Sequence, residues 1–239
     1  MPAWLAVVIL GVIEGITEFL PISSTGHLLL VENANLVSRQ SDLFNITIQS
    51  GAAVAVLAVF GGRVRDLLAR ITEPESRDYV LKLLLAFVIT GVGGLVVKRL
   101  GFSLPQAIAP IAWATLIGGV LILAIEWALR GRRPARRDVT WAVAVVVGLA
   151  QLLAAVFPGT SRSAATIMIA MLLGLTRPAA TEFSFLVGVP TLLAAGALET
   201  VQAVRHPSGP PTEWGLLVLG TVVSAVTAFV VVRWLLRWV

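Results

Sequence analysis

The sequence contains no cysteine and little charge. Only 13% of its 239 residues are Asp, Glu, Lys or Arg, whereas an average soluble domain carries about 25%. So few charges cannot cover the surface of a water-soluble globule, and the lack of cysteine excludes a disulfide scaffold and a CxxC redox centre. By contrast, 57% of the residues are hydrophobic, in runs long enough to cross a bilayer as helices. The sequence therefore predicts an all-α polytopic membrane protein.

Breaker residues divide the chain into nine apolar segments. These are 2–20, 24–34, 44–60, 79–97, 105–130, 139–157, 161–174, 181–204 and 214–238. A transmembrane helix needs about 20 residues, so 24–34 and 161–174 are too short to cross, and each follows a proline-bearing break. Irregular backbone at membrane depth is tolerated only inside protein or beside a wet cavity. We therefore predict re-entrant helix pairs at 2–34 and 139–174, and five full transmembrane spans elsewhere.

An internal repeat relates the two re-entrant pairs. Gly11, Glu14, Pro21, Ser23 and Ser24 recur at a constant offset as Gly148, Gln151, Pro158, Thr160 and Ser161. Three crossings separate the pairs, so the second unit begins on the opposite side of the membrane, which makes the repeat inverted. We expect one membrane domain over 1–239, with a first unit at about 1–100, a connecting span at about 105–130 and a second unit at about 139–239.

The basic residues indicate an orientation, because cytoplasmic loops are enriched in Lys and Arg. The side of the N-terminus carries Arg39, Lys98, Arg99 and Arg205. The opposite side carries Arg63, Arg65, Arg70, Arg77, Arg130, Arg132, Arg133, Arg136, Arg137, Arg177, Arg233 and Arg237. We therefore expect an outer N-terminus and a cytoplasmic C-terminus. These residues lie between apolar runs and form no patch, so the net charge of +5 does not indicate a nucleic-acid partner.

Two carboxylates interrupt the first apolar segment. Glu14 and Glu18 are four residues apart, so they share one face of a helix, where like charges repel and burial is costly. They are stable there if they share a metal or a proton, meet cations, or bond to nearby backbone for folding alone. Gly11 and Gly15, on a neighbouring face, have the spacing of close helix packing.

The residues after each break are typical of helix starts and phosphate sites. Ser24 and His27 are three apart, so their side chains are expected to meet, which together with the glutamates resembles an activated nucleophile with its base. Helix capping alone is the alternative. In the second break, Arg162 beside free helix N–H groups suits a phosphate, or it neutralises Glu14 or Glu18. Gln49 and Gln151 are possible supporting residues, and Glu126 is expected to pair with Arg130 at i,i+4.

Two long motifs carry a family resemblance. EGITEFLPISSTGH at 14–27 and PGTSRSAAT at 158–166 resemble the undecaprenyl pyrophosphate phosphatase family, also called bacitracin resistance protein, with Ala164 where many members have glycine. Weaker likeness extends through TIQSGA at 47–52, GLAQ at 148–151 and EFSFLVGVP at 182–190.

The resemblance implies an integral membrane hydrolase that converts undecaprenyl pyrophosphate to undecaprenyl phosphate and inorganic phosphate. Such an enzyme recycles the lipid carrier for peptidoglycan synthesis and cell-wall biogenesis, and confers resistance to the antibiotic bacitracin. The resemblance further implies a bacterial inner-membrane location, an active site open to the periplasm, a divalent cation (Mg²⁺ or Ca²⁺) and a homodimer.

The resemblance also implies residue roles. Ser24 would be the nucleophile, with His27 as acid or base and Glu14 and Glu18 as metal ligands or positioners of the base. The phosphate-binding residues would be Arg162, Ser161, Ser163, Thr166, Ser23, Thr25 and Gly26. The nucleophile could instead be His27 or water. The alternative function is a transporter or flippase of a polyprenyl phosphate, which needs the phosphate site but gains nothing from Ser24 with His27.

Overall fold

The fold is a bundle of helices of very different length. The computed structural model describes residues 1–100, 108–131, 136–206 and 211–239, and these ranges contain ten α-helices and no β-strand. In chain order the helices are α1 (Ala3–Thr17), α2 (Ser24–Asn33), α3 (Asp42–Val59), α4 (Gly61–Ala69), α5 (Pro74–Arg99), α6 (Ile108–Leu129), α7 (Trp141–Val156), α8 (Arg162–Leu172), α9 (Arg177–Arg205) and α10 (Trp214–Leu235). The all-α prediction is confirmed for the part of the chain described.

Five helices are long and apolar enough to cross a membrane: α3, α5, α6, α9 and α10. They coincide with the five segments predicted as full spans, so the prediction of a polytopic membrane protein is confirmed. The start of the predicted 105–130 span lies outside the described residues. So do Arg132 and Arg133 of the group predicted to be cytoplasmic.

The structure differs from the sequence prediction in three places. The amphipathic helix α4 was not predicted, because its nine residues contain no long apolar run. α5 begins at Pro74 rather than at 79, since proline is favoured in the first turn of a helix. The expected pair of Glu126 with Arg130 is wrong: Glu126 accepts from Arg177 at 2.7 Å, on the neighbouring α9.

The short helices pack in a reciprocal pattern against the long ones. α1, with 15 residues, is roughly 22 Å long, which is less than the bilayer core of about 30 Å. It packs mainly against α10, the last helix of the chain, while α7 packs against α5. α3 and α9 pack against each other at the centre, and α6 contacts both α2 and α8.

Glycines bring α1 and α10 into backbone contact. A Cβ added at Gly11 would lie 2.7 Å from the Gly220 carbonyl, and one added at Gly15 would lie 2.6 Å from both the Ser224 carbonyl and Thr227 Cβ. The prediction that Gly11 and Gly15 serve close helix packing is therefore confirmed. This approach holds α1, with its two glutamates, in a fixed position beside α10.

We predict that Gly15→Ala destabilises the fold by about 1–3 kcal/mol, because the added methyl group has no space and overpacked interfaces must shift. Equilibrium unfolding in mixed detergent micelles measures the change in the free energy of unfolding. Gly91→Ala on α5 is the matched control, since a Cβ there meets open space and alanine favours the helix. Equal stability of the two variants would contradict the close approach of α1 and α10.

Candidate active site

The first break presents two serines at the start of α2. Pro21 cannot continue α1, because proline lacks the N–H group that a helix needs. Ser23 is the N-cap of α2, and its hydroxyl accepts a hydrogen bond from the Gly26 N–H at 3.2 Å. Its φ of +67° is left-handed, a conformation that costs a non-glycine residue about 1–3 kcal/mol. The backbone bends here so that Ser24 reaches back to the end of α1.

The carboxylate of Glu18 joins the two breaks. Ser24 Oγ donates a hydrogen bond to Glu18 Oε2, and Arg162 Nη2 donates to Oε1 at 3.2 Å. Glu18 and Ser24 are buried, and only 11% of the Arg162 side chain is exposed. A buried charge is costly without a partner and hydrogen bonds, and Glu18 has both. A hydroxyl that donates to a carboxylate is the arrangement of a nucleophile and its general base.

The second break places Arg162 at the first position of α8. Gly159 turns the chain with a φ of +97°, which glycine adopts without steric cost. Ser161 is the N-cap of α8, and its hydroxyl accepts from an N–H of the first turn at 3.2 Å. Ser163 Oγ donates to the Leu20 carbonyl in the first break at 2.9 Å. The two breaks are therefore hydrogen-bonded to each other as well as joined through Glu18.

The Arg162 guanidinium is held in place but only partly hydrogen-bonded. Its Cζ lies 5.4 Å from the centre of the Phe19 ring, a cation–π contact. A Cβ at Gly188 of α9 would lie 2.7 Å from Cζ, so glycine is required there to leave room. Nε and Nη1 have no hydrogen-bond partner among the described residues. Unpaired buried donors at a helix N-terminus are suited to an anion such as phosphate.

Glu14 supplies a second buried carboxylate one turn before Glu18. It is fully buried, and neither oxygen has a hydrogen-bond partner in the part of the chain that the structure describes. One arginine faces two acidic groups, so the cluster has an unbalanced negative charge if both are ionised. A proton or a cation bound between the two carboxylates would balance it.

A cavity of about 180 Å³ connects Glu18, Ser24 and Arg162. It is lined by Glu18, Ser23, Ser24, Thr25, Gln49, Thr90, Gln151, Ala154, Ala155, Thr160, Ser161, Arg162, Thr191 and Leu192. The lining residues come from both breaks and from α3, α5, α7 and α9. Eight residues singled out from the sequence thus share one space: Glu18, Ser23, Ser24, Thr25, Gln49, Gln151, Ser161 and Arg162.

Other residues singled out from the sequence lie outside the cavity lining. The expected contact of Ser24 with His27 is absent, because Ser24 bonds to Glu18 and His27 Nδ1 lies 2.8 Å from the Ser23 carbonyl. Thr166 Oγ1 bonds back to its own helix, at 2.9 Å from the Arg162 carbonyl. Ser163 donates to the Leu20 carbonyl and so links the two breaks. The Gly26 N–H donates to the hydroxyl of Ser23, the N-cap of α2. Glu14, one turn before Glu18 on α1, does not line the cavity.

Sequence reasoning missed several residues of the site. Thr90 and Thr191 line the cavity, and Gly188 makes room for the guanidinium. Thr90 and Thr191 are single threonines in long apolar spans, where a hydroxyl bonded to its own helix is common. These two threonines differ from others only because they line the same cavity as Gln151 and Arg162. The sequence does not indicate that proximity. Gly188 lies in a segment noted for its family likeness but not for any role.

Comparison with known proteins finds relatives over nearly the whole chain. The sequence matches the family described as "Bacitracin resistance protein BacA" over residues 7–239. A relative from Rhizobium etli named "Undecaprenyl-diphosphatase" is 52% identical over 232 residues, which cover 97% of this chain and 86% of the relative. A relative from Xanthomonas oryzae pv. oryzae with the same name is 48% identical over 236 residues, which cover 98% of this chain and 88% of the relative.

Proposed function

The chain belongs to the bacitracin resistance protein family, and from this premise we propose that it is an undecaprenyl-diphosphate phosphatase embedded in the membrane. Its substrate is undecaprenyl pyrophosphate, and its products are undecaprenyl phosphate and inorganic phosphate. The names of the relatives from Rhizobium and Xanthomonas support this activity. In the bacterial inner membrane it would return the lipid carrier to peptidoglycan synthesis and confer resistance to bacitracin.

The observation that carries this proposal is the hydrogen-bonded chain from Ser24 through Glu18 to Arg162. These three side chains line one cavity, where they would act as nucleophile, base and phosphate-binding cation. A transporter or flippase would need the cation and the helix N-termini but not a hydroxyl bonded to a carboxylate. The geometry therefore favours the hydrolase over transport.

In the proposed reaction, Ser24 Oγ attacks the terminal phosphorus. The bond from this phosphorus to the bridging oxygen breaks, and undecaprenyl phosphate leaves with that oxygen, while Glu18 takes the serine proton. Water then attacks the phosphoserine, the bond from phosphorus to Ser24 Oγ breaks, and Glu18 returns its proton to the serine. Inorganic phosphate is released with the oxygen and both hydrogens of the water.

Donors around the cavity would hold the charged phosphates during both steps. Arg162 offers Nε and Nη1, and Thr25, Ser23 and Ser161 lie at the starts of α2 and α8, where helix N–H groups favour anions. His27 as acid or base stays a prediction. With Nδ1 bonded to the Ser23 carbonyl, its Nε2 is the atom left for proton transfer.

We predict that Ser24→Ala lowers phosphate release at least about 100-fold, because the nucleophile is lost. The assay is metal-dependent release of phosphate from a polyprenyl pyrophosphate by purified protein in detergent. Ser224→Ala is the matched control, since Ser224 is an equally buried serine on α10 that does not line the cavity. Undiminished release by Ser24→Ala would show that Ser24 is not the nucleophile and leave His27 or water, and no release by the wild-type protein would remove the phosphatase proposal.

We also propose that a divalent cation, Mg²⁺ or Ca²⁺, binds at Glu14 and Glu18. The unpartnered oxygens of Glu14 fit such an ion, because these cations prefer oxygen ligands. The described residues contain no group of three His, Cys, Asp or Glu side chains that could hold a metal. Two carboxylates with substrate oxygens are, however, an ordinary set for Mg²⁺. The cation would stabilise negative charge on the pyrophosphate.

We predict that Mg²⁺ or Ca²⁺ raises the midpoint of thermal unfolding of the wild-type protein and that Glu14→Gln abolishes this rise. A ligand that binds only the folded state stabilises it in proportion to its affinity. Glu14→Gln keeps the shape of the side chain and removes its charge. Glu32→Gln is the control, because Glu32 is also buried but bonds to Asn45 and the Gln40 backbone away from the site. A cation-induced rise that persists in Glu14→Gln would contradict this ligand.

We further propose that the chain is an inverted repeat with its active site open to the periplasm. Reciprocal packing supports the repeat. α1, the first helix of the first unit, packs on α10, the last helix of the second unit, and α7, the first helix of the second unit, packs on α5, the last helix of the first. The short α1 and the single-turn breaks support the two re-entrant pairs. A homodimer stays a prediction, which mass measurement by light scattering in detergent would test.

We predict that the loop before α3 lies outside the cell membrane and the loop before α5 inside, as the distribution of arginines indicates. The chain has no cysteine, so single exposed cysteines report each side. In intact spheroplasts, a membrane-impermeant maleimide is expected to label Ser38→Cys, and to label Thr72→Cys only after permeabilisation. The reverse pattern would invert the proposed orientation.

A further inference from the structure

Thr90 fixes the orientation of the Gln151 amide. Thr90 Oγ1 lies 2.9 Å from the Ala86 carbonyl and 3.0 Å from the Gly148 carbonyl, and 2.8 Å from the Gln151 amide nitrogen. A hydroxyl has one hydrogen to donate, and two carbonyl acceptors already compete for it. The hydroxyl must therefore accept from Gln151, so the Nε2 group faces Thr90 and Oε1 faces away.

The Gln151 Oε1 atom is a buried acceptor without a partner. Gln151 is only 2% exposed, and its Oε1 has no hydrogen bond from any described residue. The same residue lines the cavity with Glu18, Ser24 and Arg162. An unsatisfied buried carbonyl is costly, so this atom is expected to bind a ligand during the reaction.

The chemistry of the cavity limits what that ligand is. Charged phosphate oxygens are acceptors, so an amide oxygen cannot bind them and would repel them. Its partner must donate a hydrogen or carry a positive charge. The hydrogen of Ser24 goes to Glu18, Arg162 Nη2 also donates to Glu18, and the guanidinium is held against Phe19 and Gly188. Water is the remaining reactant with hydrogens, and the proposed hydrolysis requires one.

Resting on the proposed function, we infer that Gln151 is a catalytic residue that holds the attacking water through Oε1. Thr90 is a positioning residue that acts through Gln151 by keeping the oxygen, and not the amino group, toward the cavity. Gln151 takes no proton, because an amide is not a base at neutral pH. It orients the water so that the oxygen lone pair faces phosphorus, and the proton transfers of the proposed reaction are unchanged.

The test is competition between water and methanol as the final phosphate acceptor. Attack by methanol on the phosphoserine forms methyl phosphate, whereas attack by water forms inorganic phosphate. Because Oε1 is inferred to hold the water, it would favour the formation of inorganic phosphate. Thr90→Val keeps the shape of the side chain but releases the amide to rotate. We expect it to raise the ratio of methyl phosphate to inorganic phosphate about tenfold and to lower kcat about tenfold, because the water is no longer aligned. KM is expected to fall together with kcat, because slower attack by water on the phosphoserine lets this intermediate accumulate.

Two further variants separate this role from a structural one. Thr90→Ser restores the hydroxyl and should return the product ratio to the wild-type value, and Gln151→Leu should raise the ratio at least as far as Thr90→Val. Thr200→Val controls for loss of a threonine hydroxyl, since half-buried Thr200 donates to the Gly196 carbonyl of its own helix, α9. The product ratio does not depend on how much protein is folded, so a destabilised variant remains informative.

Several results would overturn the inference. An unchanged product ratio in Thr90→Val and Gln151→Leu would show that Gln151 does not hold the water. A rise in KM alone would show a contact with the substrate phosphates. An increase in the Mg²⁺ concentration needed for half-maximal activity would make Oε1 a metal ligand. Failure of the wild-type protein to release any phosphate would instead count against the proposed function, so the two failures are distinguishable.

Discussion

The rest of the site depends on one constraint, which is that charges buried in a membrane protein must find partners inside the protein. Arg162 lies at the start of α8 and Glu18 at the end of α1, far apart in the sequence, and each would be costly alone. Their pairing requires both breaks to occupy the same place. The hydrogen bond from Ser163 to the Leu20 carbonyl then fixes the distance between the breaks, and a small cavity lies beside the ion pair.

The surrounding helices pack closely around the pair of Arg162 and Glu18. Gly188 lets the guanidinium lie against α9, and Phe19 covers one face of it while packing edge-on against Phe185 at 4.9 Å. Gly11 and Gly15 hold α1 close to α10, so Glu14 and Glu18 cannot move away to solvent. Both carboxylates are therefore kept where their charge must be balanced by Arg162, by a proton or by a bound cation.

Hydropathy was sufficient to predict the long helices, because length and apolar content alone decide whether a segment spans a bilayer. Pro21 and Pro158 located the two breaks for a similarly local reason. Residues whose role depends on a distant neighbour could not be found in this way. Thr90 becomes significant only beside Gln151, and Glu126 pairs across to α9 in preference to its own helix. Buried Lys82 was also missed, although Asp78 precedes it at helical spacing.

The hydrogen-bond donors and acceptors around the cavity suit different parts of the reaction. Donors come from Arg162 and from the two helix starts, and they suit the phosphate groups of a substrate. Acceptors come from Glu18 and from Gln151, and they can bind only groups that carry hydrogen or a positive charge. A site that simply held a phosphate anion would gain nothing from acceptors, since each would repel the phosphate oxygens. The presence of both kinds in a cavity of about 180 Å³ therefore argues for a site that breaks a phosphoanhydride bond with a hydroxyl and a water.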